Sequence, residues 1–194
     1  MVQAVVSRLF IEVEASGRHV HLTAEQARQL FGHDLTPQRE LSQPGQFLAK
    51  ERVRVIGPKG EFDNVAVLGP ARKAAQVEIS LTDGRTLGIT PPVRLSGSTR
   101  DTPGARLVGS HGTVELAEGV ICARRHIHMT PGDALRLGIR DGETVKLKIY
   151  SRRPVVFEDV PVRISPDFQT RAHLDFDEAN ACALSGGELG RILQ

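Results

Sequence analysis

The chain has only two cysteines, Cys122 and Cys182, too few for a disulfide framework and without the close spacing of a CxxC redox or zinc motif. A reducing, cytoplasmic setting is the resulting expectation. Tryptophan is absent and aromatics make up 4% of the residues, leaving little with which to stack nucleic-acid bases. Charge of neither sign is in excess, since 25 basic residues stand against 23 acidic ones and no basic block marks a polyanion-binding face. Nucleic acid is therefore not expected as a partner. No apolar run approaches the roughly 18 residues a membrane helix needs, so no membrane span is expected either. The opening MVQAVVSRLF lacks the early basic residues, apolar core and small-residue cleavage site of a secretory signal. What remains, 194 residues of which 40% are hydrophobic, is enough for one ample domain or two small ones and excludes intrinsic disorder.

Histidine is what stands out: there are seven, and five fall in three short segments. Two of those segments are copies of one another, Ser16-Gly17-Arg18-His19-Val20-His21-Leu22-Thr23 and Ala123-Arg124-Arg125-His126-Ile127-His128-Met129-Thr130. Each copy runs into a helix signal. Thr23 reads as an N-cap with Gln26 as its capping-box partner and Gly32 as the stop, while Thr130 caps with Pro131 in the first helical position and Gly138 closing. A third helix is predicted from Asp175 to Leu184, with Asp175 and Glu178 as a capping-box pair and Gly186 and Gly187 ending it.

Short Val- and Ile-rich stretches predict strands at 10–15, 52–56, 61–67, 76–81, 86–90, 113–116, 119–123, 144–150, 155–164 and 171–174. Asp83-Gly84 and Asp141-Gly142 read as turns between them. Little periodicity is present from Pro91 to Gly112, which reads as the joint between halves. The expected fold is mostly β with short helices: an N-terminal extension over 1–10, a first small barrel lobe over 11–95, a connection over 96–112 and a second lobe over 113–194.

In a strand, residues i and i+2 share a face, so His19 with His21 and His126 with His128 each present two imidazoles side by side. One HxH is weak, but two in matching contexts point to metal. Imidazoles with at most one or two carboxylates favour zinc over iron, cobalt, nickel or copper, whereas magnesium and calcium would want oxygens. Four histidines could close one structural site, while two catalytic sites of three protein ligands would need two more. His173, just before the last helix signal, and Glu78, on the polar face of Gln76–Leu81, are the candidates, although for Glu78 the pattern alone favours a solvated outer face. Arg72 and Lys73 follow a Gly69-Pro70 turn, where an arginine could hold phosphate or merely be solvated. His33 and His111 read as surface residues and Cys122 as a small buried hydrophobe.

Six segments, SGRHVHLT, LSQPGQF, VLGPARKAAQVEIS, VRLSGS, EGVICARRHIHMTPGDA and AHLDFDEANA, resemble in order those of the phosphotransacylases of bacterial microcompartments, the phosphate propanoyltransferase family. The likeness covers 11–186. It implies an acyltransferase that interconverts an acyl-CoA, propanoyl or acetyl, plus phosphate with an acyl phosphate plus CoA, on two small barrels with two zinc ions between them. Carried over residue by residue, the zinc ligands are His19, His21, Glu78, His126, His128 and His173, and the phosphate-binding arginine is Arg72. Ser96 matches a serine beside the metals, and Ser16, Leu68 and Asn180, together with His173, match positions that meet CoA. One departure is Ala66, where the family commonly has arginine; Arg39 or Arg72 would have to supply that charge toward CoA. Encapsulated members carry an amphipathic N-terminal helix. Here Val2, Val5, Val6 and Leu9 lie at helical spacing but the strand pattern begins at Phe10, so a free cytoplasmic enzyme is favoured over one in a microcompartment shell or lumen, and a homodimer is allowed.

Two other classes fit the histidines. A zinc hydrolase of thioesters or phosphoesters would use hydroxide in place of phosphate. A non-catalytic module would close one structural zinc site with four histidines, and chelation would unfold it.

Overall fold

The computed structural model describes residues 10–193; the valine and leucine positions of the N-terminal extension lie outside the described residues. The first half runs β1 (Ile11–Ser16), β2 (His19–His21), α1 (Ala24–Phe31), β3 (Pro37–Glu40), β4 (Phe47–Ile56), β5 (Glu61–Gly69), β6 (Gln76–Glu78), α2 (Leu81–Leu87) and β7 (Val93–Arg94). Then follow β8 (Ala105–Val108), β9 (Thr113–Leu116), β10 (Val120–Ala123), β11 (His126–Met129), α3 (Pro131–Leu137) and β12 (Thr144–Tyr150). Last come β13 (Val155–Ile164), β14 (Arg171–Asp175), α4 (Phe176–Ala181) and β15 (Leu189–Leu193).

The fold is mostly β with short helices, as expected, and the chain divides into two compact units. One unit takes the chain up to Ser16 and again from Arg125 onward, and closes a six-stranded barrel in the order β1-β14-β11-β13-β12-β15. Its core is built by the inward residues of alternating strands, among them Ile127, Met129, Leu147, Ile149, Val162 and Leu174, all essentially inaccessible. The other unit, Gly17–Arg124, is a curled sheet ordered β7-β10-β6-β2-β5-β4-β8-β9, with β3 added beside β4. Val20, Leu22, Leu30, Val67, Val77, Leu87 and Leu107 fill its separate core.

These boundaries differ from those expected. The cause is strand exchange: β1 pairs in parallel with β14 and antiparallel with β15, while β10 pairs in parallel with both β6 and β7. An alternating strand carries no mark of which distant strand will pair with it, so the sequence pattern groups the first strand with its neighbours in the chain, whereas β1 packs in the unit that holds β14 and β15. The stretch expected to be a joint likewise holds β7 and β8.

The helix signals at Thr23, Thr130 and Asp175 are all used: each side chain accepts a hydrogen bond from the third helical N–H, and Gly32 and Gly138 adopt the left-handed conformation that ends α1 and α3. The third helix is shorter than expected and ends at Ala181, where the buried Cys182 forms the C-cap. A fourth helix replaces the strands expected at 79–81 and 86–90. Ser80 and Asp83 form a capping box, so Asp83-Gly84 lies inside α2 rather than in a hairpin turn. Glycine suits position 84 because a Cβ there would come within 2.7 Å of both the Ile89 carbonyl oxygen and the Pro91 ring. A cap contributes about 1 kcal/mol, and helices this short are marginal alone, so α1 depends on burying Ala27, Leu30 and Phe31.

Candidate functional site

In the Gly17–Arg124 unit, β2 alternates as its sequence requires: Val20 enters the core and His19 and His21 share the opposite face, both buried. Strand β6 lies antiparallel beside it, setting His19 opposite Glu78 and His21 opposite Gln76. The Nε2 atoms of the two histidines are 3.2 Å apart, and Glu78 Oε1 lies 3.5 Å from His19 Nε2 and 3.8 Å from His21 Nε2. Each Nδ1 faces a backbone carbonyl, His19 at 2.8 Å from Gly17 O and His21 at 3.2 Å from Leu68 O. A carbonyl can only accept, so Nδ1 carries the proton and both Nε2 lone pairs converge with a carboxylate. That donor set fits a borderline divalent cation such as zinc.

The electrostatics agree. Burial disfavours a proton on His19, yet the adjacent Glu78 carboxylate outweighs it and raises the proton affinity of that imidazole: the site attracts positive charge. His21 is pushed down to about 3 by burial, with the charges of His19 and Arg72 adding to the effect, and stays neutral. Burial works against the Glu78 anion, but His19, His21 and the Ser96 hydroxyl hold it well below the usual carboxylate range.

A second layer surrounds Glu78. Arg72, whose own N–H is fixed to the Leu22 carbonyl at 2.8 Å, reaches Ser96 Oγ with Nη1 at 3.0 Å, and that hydroxyl donates to Glu78 Oε1 at 2.9 Å. Gln76 joins the pieces. Its amide donates to Glu78 Oε1 at 2.5 Å and to Ser96 Oγ at 2.8 Å, and its carbonyl accepts from Gly97 N at 2.7 Å. Sequence reasoning missed Gln76, although a glutamine two residues from Glu78 on the same face of a buried strand was the available signal. Gln76→Leu keeps the volume but leaves Gly97 N–H without its acceptor, so unfolding by denaturant is expected to show a loss of about 1–3 kcal/mol.

The barrel unit holds the other imidazoles. His126 and His128 lie on β11, and His126 is paired directly with His173 on β14. The three rings cluster, with centroids 4.6 Å apart for His126–His128, 5.2 Å for His126–His173 and 5.0 Å for His128–His173. One nitrogen from each lies within 4.8 Å of the others. His128 Nδ1 is buried with no hydrogen-bond partner among the described residues, a nitrogen of the kind a metal would engage. Burial lowers His128 to about 2, with His126, His173 and Arg163 contributing, so it too is neutral and able to ligate. Glu14 of β1 stands beside His173, with Oε2 3.9 Å from its Nδ1.

The two HxH strands therefore have matching surroundings within their own units. Each pairs in parallel with a long strand and antiparallel with a short strand that supplies the third side chain, Glu78 in one and His173 in the other. Leu68 contributes its carbonyl to His21, and Ser16 ends β1 opposite Asp175. Arg39 lies exposed on β3 and Asn180 exposed on α4. Ala66 is paired with His19, so the residue that departs from the family pattern adjoins a proposed ligand. His33 and His111 are exposed and Cys122 is buried, each as expected.

Residues 12–185 match the phosphate propanoyltransferase family. A phosphate propanoyltransferase of Leptotrichia buccalis is 58% identical over 182 residues, 93% of this chain and 86% of that one. One from Enterococcus faecalis is 54% identical over 94% of this chain and 88% of its own length, and one from Clostridioides difficile is 49% identical over 100% and 96%. With the family model covering residues 12–185 and these identities extending over nearly the whole chain, the chain belongs to the phosphate propanoyltransferase family.

Proposed function

We propose that the protein transfers a short acyl group, propanoyl or acetyl, between CoA and inorganic phosphate, with phosphate attacking the thioester directly while both substrates are bound. The observation that carries this reading is the chain Arg72–Ser96–Glu78, which sets a guanidinium one hydroxyl away from a buried His-His-Glu group fitted to a divalent metal. Two zinc ions are proposed, one with His19, His21 and Glu78 and one with His126, His128 and His173. Bound zinc would supply Lewis-acid polarisation of the thioester carbonyl and stabilise the charge that develops on its oxygen.

Everything else falls to the chain. Arg72 binds phosphate through its guanidinium fork and orients one oxygen toward the thioester carbon. That oxygen forms the new C–O bond, the C–S bond breaks, and CoA leaves as the thiolate with the acyl phosphate as the other product. Ser96 positions rather than attacks, because its hydroxyl accepts from Arg72 and Gln76 and spends its one proton on Glu78. The CoA contacts of Ser16, Arg39, Leu68 and Asn180, a microcompartment setting and a homodimer belong to the same proposal.

The test is the release of free thiol from propanoyl-CoA by zinc-loaded protein. Thiol release that saturates with added phosphate and yields propanoyl phosphate is expected. Release that proceeds equally without phosphate would identify a hydrolase instead. Among the described residues no helix is long and apolar enough to cross a membrane.

A further inference from the structure

An arginine precedes each HxH pair, Arg18 before His19 and Arg125 before His126, and the acyl-transfer chemistry gives neither of them a task. Both are committed inside their own units. Arg18 makes a two-point ion pair with the buried Asp83, with Nη2 2.7 Å from Oδ1 and Nε 3.2 Å from Oδ2. Arg125 Nη1 lies 2.7 Å from Oε1 of the half-buried Glu178, and its Nε and Nη2 donate to the Glu158 carbonyl at 3.2 and 2.7 Å. Each guanidinium also meets an aromatic ring, the Phe62 centroid 3.9 Å from the guanidinium carbon of Arg18 and the Phe157 centroid 5.6 Å from that of Arg125. Phe62 lies on β5 and Phe157 on β13, the long strands that pair in parallel with β2 and β11.

The two acids hold equivalent places. Asp83 is the capping-box partner of Ser80 at the start of α2, and Glu178 is that of Asp175 at the start of α4. In each unit the N-cap stands two residues, and the acid five residues, after the third donor of the metal group, Glu78 in one and His173 in the other. Each carboxylate therefore accepts from the N-cap backbone as well as from the arginine, Ser80 N at 3.2 Å from Asp83 Oδ2 and Asp175 N at 3.3 Å from Glu178 Oε2. An isolated surface ion pair carries little, because solvent screens it and two long side chains must be ordered. Here a helix start fixes the acid, a ring restrains the arginine, and the same arrangement is made twice. It also meets a need: the donors are brought together by strand register, His19 opposite Glu78 and His126 opposite His173, yet β2 and β6 have three residues each, and β11 and β14 four and five. So few ladder bonds hold a register weakly on their own.

We propose that Arg18 and Arg125 are positioning residues for the two metal groups, each locking the strand that carries the HxH pair to the strand that carries the third donor by gripping the first-turn carboxylate of the helix that follows it. This rests on the two metal centres proposed above. The planar fork supplies direction as well as charge, which a register lock requires. Arg18 also stands between His19 and Gly17, whose carbonyl faces His19 Nδ1 at 2.8 Å, so the same grip steadies the group that orients the imidazole. Because each pair lies within one unit, each arginine acts on its own centre and not on the other.

The experiment measures zinc affinity by competition with a chromogenic chelator, one centre at a time, with His128→Ala disabling the three-histidine centre and His21→Ala the other. Arg18→Gln is expected to weaken zinc at the His19–His21–Glu78 centre about tenfold to a hundredfold, and Arg125→Gln to do the same at the three-histidine centre, each leaving the centre of the other unit unchanged. With cobalt in place of zinc, the visible absorption bands that report ligand geometry shift at the affected centre alone. Asp83→Asn and Glu178→Gln keep an oxygen for the N-cap N–H but remove the charge. Each should reproduce the loss, and joining either to its arginine variant should add little further, the coupling expected of one shared device. Arg18→Lys and Arg125→Lys recover part of the affinity. If an arginine variant does not fold, the milder acid variant of the same pair carries the measurement. Ion pairs that serve the fold alone would lower the melting temperature of metal-free and zinc-loaded protein alike and leave affinity and cobalt spectrum unaltered, and that result overturns the inference. Wild type that holds zinc at neither group overturns the metal reading and this inference with it, and shows itself before any variant is compared.

Discussion

Replacing His21 by alanine is expected to lower the zinc content by one ion per chain and acyl transfer by about a thousandfold, while the protein stays folded. The magnitude follows from the chemistry the ion supplies: Lewis-acid stabilisation of several kcal/mol, about 4 kcal/mol here, corresponds to about three powers of ten in rate. The side chain is buried and its Nε2 lies 3.2 Å from that of His19, so alanine leaves the donor set one imidazole short. Folding should survive because the apolar residues of the same two strands, Val20 and Val77, point away from the donors into a core that contains no ligand. Metal analysis, steady-state rates and a thermal melt check each part. A chelator should have the same signature, losing both ions and activity with the secondary structure retained by circular dichroism. Collapse of the fold on chelation would support a structural zinc module and sink the catalytic reading.

The histidine pairs were legible in the sequence because strand alternation is a local property. Val20 and Ile127 needed only to be apolar and flanked by histidines for the imidazoles to share a face. The helix starts were legible for a similar reason, since a cap and its partner three residues on satisfy each other without help from elsewhere. The third member of each group was not fixed by pattern. Glu78 reads as solvated or ligating until β6 is seen to lie antiparallel to β2, and only that pairing puts it opposite His19. His173 likewise meets His126 only through the β11–β14 pairing. The resemblance supplied both residues in advance because a family's motifs carry its three-dimensional pairings.

Helix α2 failed for the opposite reason. Its Asp-Gly pair matches the hairpin signal, and the competing capping box at Ser80 and Asp83 is equally local, so two valid short-range rules disagreed and burial decided between them. Asp83 and Gly84 are buried where a hairpin tip would be exposed, and that exclusion of water is a tertiary fact. The lobe boundaries failed because β1 joins strands more than a hundred residues away, which no local signal records. Gln76 was passed over because glutamine is not a metal ligand by habit; its role comes from two donors and one acceptor meeting three separate groups at once.

Arg72→Ala should remove phosphate as a competent nucleophile, with the KM for phosphate raised by about a hundredfold or more and little change for the acyl-CoA. Two charge-assisted hydrogen bonds from one guanidinium, at about 1.5–3 kcal/mol each, set that scale even after allowing for incomplete additivity. The substitution is clean because the loop is held by the backbone: Arg72 N–H donates to Leu22 O, and alanine keeps that bond. Ser96 loses one donor but retains Gln76 and its own bond to Glu78, so the ligand carboxylate stays in place and the zinc content should not change. Arg72→Lys keeps the charge without the fork and should fall between wild type and alanine. Since Arg72 also helps keep His21 neutral, its removal lets that imidazole take a proton somewhat more readily, yet burial remains the larger cause and ligation is preserved. A rise in phosphate KM with metal intact separates a substrate-binding arginine from a structural one, because a structural role would change metal content or melting first. An alanine variant with unaltered phosphate saturation would move phosphate binding away from Arg72 and sink that assignment.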